Sequence, residues 1–133
     1  MLNPFPELLV YGILAPFIIR LALGFALLYL SVEHYRNKRQ IAELLRPLMG
    51  RLAGGAGPAM AVFEIAAGVA LIAGAWTQIA ALCACVLTLK PLFLRSNLRG
   101  IAPYSHSTYA ILFMMALSLL LSGAGAFAFD IPL

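Results

Sequence analysis

Three ionisable residues interrupt otherwise apolar stretches of this 133-residue chain, namely Arg20, Glu64 and Lys90. An unpaired charge inside hydrocarbon costs at least roughly 2.5 kcal/mol on insertion scales, so each should face a protein interior or a wet cavity. Their depths favour a pair between Glu64 and Lys90, although Lys90 alone is expected to snorkel to the surface. Side chains lean toward the N-terminus of their own helix, which tips Arg20 and Glu64 apart and leaves a direct bridge between them unassured.

Two interpretations of these buried charges stay open. In the first, they only pin helices together through buried pairs. In the second, they line a polar pocket for a quinone-like headgroup or a path for protons.

His34 and His106 are the two histidines, one at the end of the first apolar span and one before the last. In a four-span topology both lie at the same membrane boundary. Two histidines without further ligand spacing do not indicate a metal centre, so we expect no metal and no haem. The candidate pocket for a quinone or a proton relay therefore comprises Arg20, Glu64, His34 and His106.

Cys83 and Cys85 are two positions apart, about 200° around a helix, so they cannot share one partner or readily bridge each other. We expect both to act as small apolar residues. Small residues also recur at every fourth position in two of the apolar stretches, a pattern that favours close helix packing or dimerisation. They are Ala66, Ala70 and Gly74, followed by Ala80 and Ala84.

The composition decides which class of protein must position these residues. Hydrophobic residues make up 63% of the chain and charged residues 11%, which a soluble surface cannot accommodate. The net charge of +4 is not arranged as a basic patch interleaved with aromatic residues, so we expect no nucleic-acid partner. The composition predicts an all-α membrane protein forming one domain over residues 1–133, in contact with the lipid bilayer.

Four apolar stretches approach the length needed to cross a membrane. We expect spans over residues 8–32, 59–75 and 77–94, and a fourth that starts near Pro103 or Tyr104 and continues past Ser122. The first is interpreted as a retained span rather than a cleaved signal, with a kink at Pro16. The second and third form a tight hairpin at Trp76, and residues 123–133 form a short non-helical cap.

The long polar connection after the first span has the pattern of an amphipathic helix over residues 39–52. Its apolar side chains are expected to be buried against the membrane surface or a partner protein; they are Ile41, Leu44, Leu45 and Leu48. Pro47 predicts a break, and the glycine-rich residues 54–58 predict a flexible turn into the second span. The expected fold is thus a bundle of four transmembrane helices with a cytoplasmic interfacial helix.

Among the connections and termini, only two connections carry basic residues, and the positive-inside rule assigns these two to the cytoplasm. Both termini should then face the periplasm of a bacterial inner membrane. The residues concerned are Arg36, Lys38, Arg39, Arg46 and Arg51, then Arg95 and Arg99, with Lys90 close by.

Three segments resemble the DoxX family of four-helix bacterial membrane proteins. The first span carries Arg20-Leu-Ala-Leu-Gly24-Phe, and the second carries Glu64 followed by Gly68 four residues later. The end of the chain, with small residues after Ser122 and then Asp130, is also similar to that family. The resemblance implies a membrane component of quinone-linked electron transfer, as in thiosulfate:quinone oxidoreductase subunits, or a membrane partner of periplasmic redox enzymes.

Our first hypothesis is therefore an accessory or quinone-binding membrane subunit of a redox complex. The alternative is a non-catalytic assembly subunit that packs against a larger membrane complex or forms a homo-oligomer. A small-solute transporter is disfavoured because no helix carries polar residues at repeated positions.

Overall fold

The computed structural model describes residue 12, residues 14–94 and 104–123, and residues 125 and 128. Within these ranges the chain forms helices and no strands. Helices α1 and α3 pack along each other, as do α4 and α5, and α2 packs on α3. The helices are α1 (Leu14–Arg36), α2 (Lys38–Met49), α3 (Ala53–Ala73), α4 (Thr77–Leu94) and α5 (His106–Ser122), with a 3-10 turn over Gly50–Leu52 between α2 and α3.

Helix α1 covers most of the predicted first span and continues four residues further, to Arg36. The predicted beginning at residue 8 lies outside the described residues. Pro16 is the third residue of α1. The first N–H groups of a helix have no intrahelical acceptor in any case, so the predicted kink at Pro16 has no cause here.

The prediction of a flexible turn over residues 54–58 is wrong, because these residues lie inside α3. The chain instead reverses at Gly50, which has a φ of 56°. Tertiary packing explains the difference. A Cβ atom on Gly57 would lie 3.0 Å from the Cα of Lys38, so the glycine lets the backbones of α2 and α3 approach closely.

Residues 39–52 do contain the predicted amphipathic helix, and part of its apolar face is covered by the chain itself. Ile41 and Leu45 are buried against Ala53 at the start of α3. The start of α3 offers Leu48 only alanine and glycine, and Leu48 is 76% exposed within the chain. Its expected burial against the membrane surface or a partner protein stays a prediction.

Helix α4 has the predicted bounds, and the hairpin between α3 and α4 is confirmed. Gly74 ends α3 with a φ of 70°, and Trp76 in the same turn is exposed with a φ of 51°. Helix α5 starts later than predicted, where the Ser105 side chain accepts a hydrogen bond from the Thr108 N–H. It ends at Ser122 rather than continuing, because Gly123 follows with a φ of 78°.

The interior of the bundle is built from leucine and small residues, while large apolar side chains face outward. A Cβ atom on Gly24 would lie 3.0 Å from the carbonyl oxygen of Gly68, so α1 and α3 touch through their backbones. Two helical stretches, Leu14–Arg36 and Lys38–Ala73, are long and apolar enough to cross a membrane by length and composition. The exposed apolar residues of the helices include Ile18, Phe25, Val62, Phe63, Val69, Ile79, Leu82, Val86, Ile111 and Met114.

Candidate functional site

The most distinctive polar feature of the bundle is a buried pair formed by His34 and Glu64. Only 4% of His34 and 2% of Glu64 is exposed. The His34 Nδ1 atom lies 2.8 Å from Oε1 and 2.9 Å from Oε2 of the carboxyl group. In one state Nδ1–H donates to an ionised carboxylate, and in the other Glu64 carries the proton and donates it to Nδ1. The pair can therefore hold a proton on either residue.

Helix geometry explains why residues thirty positions apart meet here. Helices α1 and α3 are antiparallel, and side chains lean toward the N-terminus of their own helix. His34, near the end of α1, therefore leans back into the bundle, while Glu64 leans toward the end of α1. The lean that tips Arg20 away from Glu64 also brings His34 toward Glu64, a contact that we did not predict.

The predicted pair of Glu64 with Lys90 is wrong. The carboxyl group of Glu64 is engaged by His34, and the Lys90 side chain is exposed on α4. Depth along the helices placed these two residues at a similar level, but depth does not define which way a side chain points around its helix. The exposure of Lys90 agrees with its expected snorkelling.

The side chains buried one turn before His34 on α1 are apolar or hydrogen-bonded within the helix. Leu30 is fully buried. The hydroxyl group of Ser31 donates to the Leu28 carbonyl at 2.6 Å. Such an environment has a low effective dielectric, which strengthens the interaction between imidazole and carboxyl.

Arg20 is also buried, but it lies at the other end of α3. A Cβ atom on Gly74 would be 2.8 Å from its Nη1 atom and 2.9 Å from the Cα of Ala128. The guanidinium thus sits beside the C-terminal end of α3, where helix carbonyls concentrate partial negative charge. Gly74 follows Glu64 by ten residues, or about 15 Å of helix. Arg20 and Glu64 are therefore separated, as expected from the lean of their side chains.

His106 is exposed at the first position of α5, in contrast to the buried His34. The cysteines lie on different faces as expected, Cys83 exposed and Cys85 buried. Among residues 14–94 and 104–123, no three or more His, Cys, Asp or Glu side chains are grouped so as to hold a metal ion. Of the predicted site residues, the structure brings together His34 and Glu64.

Tyrosine side chains join the start of α5 to α1, which sequence reasoning missed. The ring of Tyr104 stacks on Tyr29 with centroids 5.8 Å apart and meets Tyr109 edge-on at 5.9 Å. Burial, followed by the nearby Tyr29 and Glu33, raises the pKa of the Tyr104 phenol. The phenol therefore stays neutral at physiological pH. Tyrosines near the ends of spans are common interfacial residues, so nothing in the sequence singled out this cluster.

Comparison with known proteins identifies the family but no individual relative. No curated protein and no solved structure matches the chain. The DoxX family model matches residues 15–95, which contain Arg20, the His34–Glu64 pair and the helices α1 to α4. This match covers more than half of the 133 residues, so the chain belongs to the DoxX family of membrane proteins.

Proposed function

We propose that this protein is a membrane subunit of a quinone-linked redox complex, in which His34 and Glu64 bind a quinone headgroup and hold the proton exchanged with it. The observation that carries the proposal is the buried pair itself. A histidine and a glutamate at hydrogen-bond distance inside an apolar bundle are costly to bury, and such groups in membranes mark proton or substrate sites. The family's loose connection with quinone redox chemistry points the same way.

The chemistry of the pair fits a quinone headgroup. A quinone carbonyl accepts a hydrogen bond and a quinol hydroxyl donates one, and the pair offers a donor in one protonation state and an acceptor in the other. When bound, a quinone supplies two-electron, two-proton redox chemistry. His34 would orient the headgroup, and Glu64 would hold His34 in place through Nδ1 and store the proton. Arg20 and His106 lie elsewhere in the fold and have no part in this proposed site.

The proposed arrangement in the membrane uses α1, α3, α4 and α5 as four spans of a bacterial inner membrane. Its support is the outward-facing apolar side chains on all four helices. Helices α4 and α5 have 18 and 17 residues, so each is nearly long enough to cross hydrocarbon about 30 Å thick. The basic connection over α2 would face the cytoplasm and both termini the periplasm. Arg95 and Arg99, which support the same orientation, lie outside the described residues.

The proposal is tested by quinone binding to the purified protein in mild detergent. Quinone retained by wild-type protein is extracted and quantified, and binding of a short-chain quinone is then titrated. We expect about one quinone per chain in the wild type and at least a tenfold weaker affinity in Glu64→Gln and in His34→Gln. The matched control is Glu43→Gln, which alters an exposed carboxylate on α2 and should bind as the wild type does.

Two outcomes would contradict this function. One is a wild-type protein that neither retains quinone nor binds the added analogue. The other is a folded Glu64→Gln protein with unchanged quinone affinity, which would leave the pair with a structural role alone.

The second candidate function is a non-catalytic assembly subunit, favoured by a different surface. Ala59, Ala66 and Ala73 recur every seventh residue along α3 and are all exposed. Exposed small residues let another membrane helix approach closely. Replacing Ala66 with leucine should then release a partner subunit that co-purifies with the wild type, without affecting quinone affinity. A wild-type protein that purifies as a monomer with no partner would count against this candidate.

A further inference from the structure

The turn that joins α2 to α3 presents an exposed surface that combines apolar and basic side chains. Leu48, Met49 and Leu52 are 76%, 46% and 75% exposed. Arg46 and Arg51 flank them in the chain and are exposed as well, and Arg39 is exposed on α2 about two turns before Arg46. We call these six residues the turn surface. It lies apart from the His34–Glu64 pair and takes no part in the proposed redox chemistry.

The other face of α2 is already occupied, which defines what the turn surface can contact. Ile41 and Leu45 are buried against the start of α3, so α2 is anchored to the bundle by its own apolar residues. Leu48, Met49 and Leu52 of the turn surface remain exposed after that packing. Exposed apolar residues of this size need cover from lipid or from protein.

The charge of the turn surface favours lipid rather than protein as its cover. Three exposed arginines stand against one exposed carboxylate on α2, Glu43. Guanidinium groups bind phosphate oxygens well and are more weakly hydrated than ammonium groups. An amphipathic segment with arginine beside exposed leucine is suited to the boundary between headgroups and acyl chains of an anionic membrane.

We propose that the turn surface binds the headgroups of anionic phospholipids in the bilayer that holds the protein. Arg39, Arg46 and Arg51 contact the lipid phosphates, while Leu48, Met49 and Leu52 insert among the upper acyl carbons. The surface thereby collects anionic lipid around this end of the bundle. It also holds the α2–α3 turn at a defined depth in the membrane.

The test measures which lipids lie next to Leu48. The full chain carrying Cys83→Ala, Cys85→Ala and Leu48→Cys is labelled with an environment-sensitive fluorophore and reconstituted into phosphatidylcholine vesicles containing phosphatidylglycerol. Quenching by brominated phosphatidylglycerol is compared with quenching by brominated phosphatidylcholine. We expect the anionic lipid to be enriched at least about fivefold near the label, since each arginine near a membrane surface contributes attraction of that order. High salt should reduce the enrichment.

A variant without the three arginine charges, together with its control, distinguishes binding of anionic headgroups from contact with any lipid. The triple variant Arg39→Gln, Arg46→Gln, Arg51→Gln should lose the enrichment, whereas Glu43→Gln should keep or raise it. Equal quenching by the two lipids in the unmodified background would overturn the proposal. So would a label that neither lipid quenches, because the surface would then be covered by protein or exposed to water.

Discussion

A histidine and a glutamate that are almost fully buried must satisfy each other, and that requirement sets the behaviour of this protein at the scale of single residues. The two contacts of His34 Nδ1 with the Glu64 carboxyl oxygens are the hydrogen bonds of Glu64 in this structure. Removing one partner of a buried charged pair is far more damaging than replacing both, because the remaining group stays desolvated. The stability cost of removing either partner can therefore be measured without knowing the ligand.

We expect His34→Leu to destabilise the protein by about 3–5 kcal/mol, because it buries the Glu64 carboxyl group without its partner. Glu64→Gln should cost only about 1–2 kcal/mol, since the glutamine oxygen can still accept from Nδ1–H. The double variant His34→Leu, Glu64→Leu should be more stable than His34→Leu alone. Thermal unfolding in detergent micelles, followed by circular dichroism, measures all three. A double variant no more stable than His34→Leu would show that the two residues are not coupled.

At the scale of elements, the bundle depends on glycines at two close approaches of α1 to the rest of the chain. The first is the crossing of α1 and α3 at Gly24 and Gly68. A Cβ atom on Gly24 would lie 2.7 Å from the Ile72 Cγ1 atom as well as 3.0 Å from the Gly68 carbonyl oxygen. A side chain there must push the two helices apart, which also displaces Glu64 from His34.

Gly24→Ala and Gly68→Ala should each lower stability by about 1–3 kcal/mol, the usual cost of adding atoms to a filled interface. Gly55→Ala is the matched control, because a Cβ atom on that α3 residue meets nothing within 4 Å. Alanine has the higher helix propensity, so the control should be as stable as the wild type or slightly more stable. Equal melting temperatures for Gly24→Ala and Gly55→Ala would contradict the close crossing of α1 and α3.

The second close approach is that of Arg20 to the turn between α3 and α4. Gly74 has a positive φ of 70° and is covered by the guanidinium, whereas Gly50 has a positive φ of 56° and open space around it. Gly74 is left-handed helical, with a ψ of 28°, and alanine there costs roughly 1 kcal/mol in conformation. Gly50 has a ψ of −124°, a conformation open almost only to glycine, so alanine costs more there and Gly50 is not a matched control.

Gly74→Ala should therefore destabilise the protein by more than the roughly 1 kcal/mol of its backbone conformation, since it must also displace Arg20. Comparing the unfolding midpoint change of Gly74→Ala in the wild type and in an Arg20→Ala background measures how firmly Arg20 holds this turn. If the change is the same in both backgrounds, Arg20 does not pack against Gly74 as described.

At the scale of the whole molecule, large apolar side chains cover the outside while leucine and small residues fill most of the inside. An apolar outside of this kind differs from the surface of a soluble protein and matches a bundle surrounded by lipid. Helix α5 is the most informative element, because its 17 residues rise only about 25 Å, less than the roughly 30 Å of a hydrocarbon core.

We expect Met114→Arg to impair membrane insertion by about 2.5–3.5 kcal/mol, because Met114 is exposed at the middle of α5 and would carry the charge into hydrocarbon. Gln40→Arg is the control, since that exposed side chain lies on α2, outside the four proposed spans. Membrane-fraction yield and melting temperature of each variant test this. Normal insertion of Met114→Arg would show that α5 does not cross the membrane.

Properties that depend on local composition could be predicted from the sequence. The length of the apolar runs indicated a membrane protein and the bounds of α4. The side chains within and between these runs indicated the amphipathic nature of α2 and the hairpin at Trp76. The lean of side chains along a helix correctly separated Arg20 from Glu64. Each of these follows from one helix considered by itself, with the lipid as its surroundings.

Only the tertiary structure decided which residues meet. In the structure His34 rather than Lys90 is the partner of Glu64, residues 54–58 lie within α3, and the chain itself covers Ile41 and Leu45 but not Leu48. These outcomes depend on how far α1 and α3 slide along each other and how each is rotated about its axis. Register and rotation are set by close backbone contacts such as Gly24 with Gly68 and Lys38 with Gly57. A hydropathy pattern contains no information about such contacts, because they join residues that are distant in the chain.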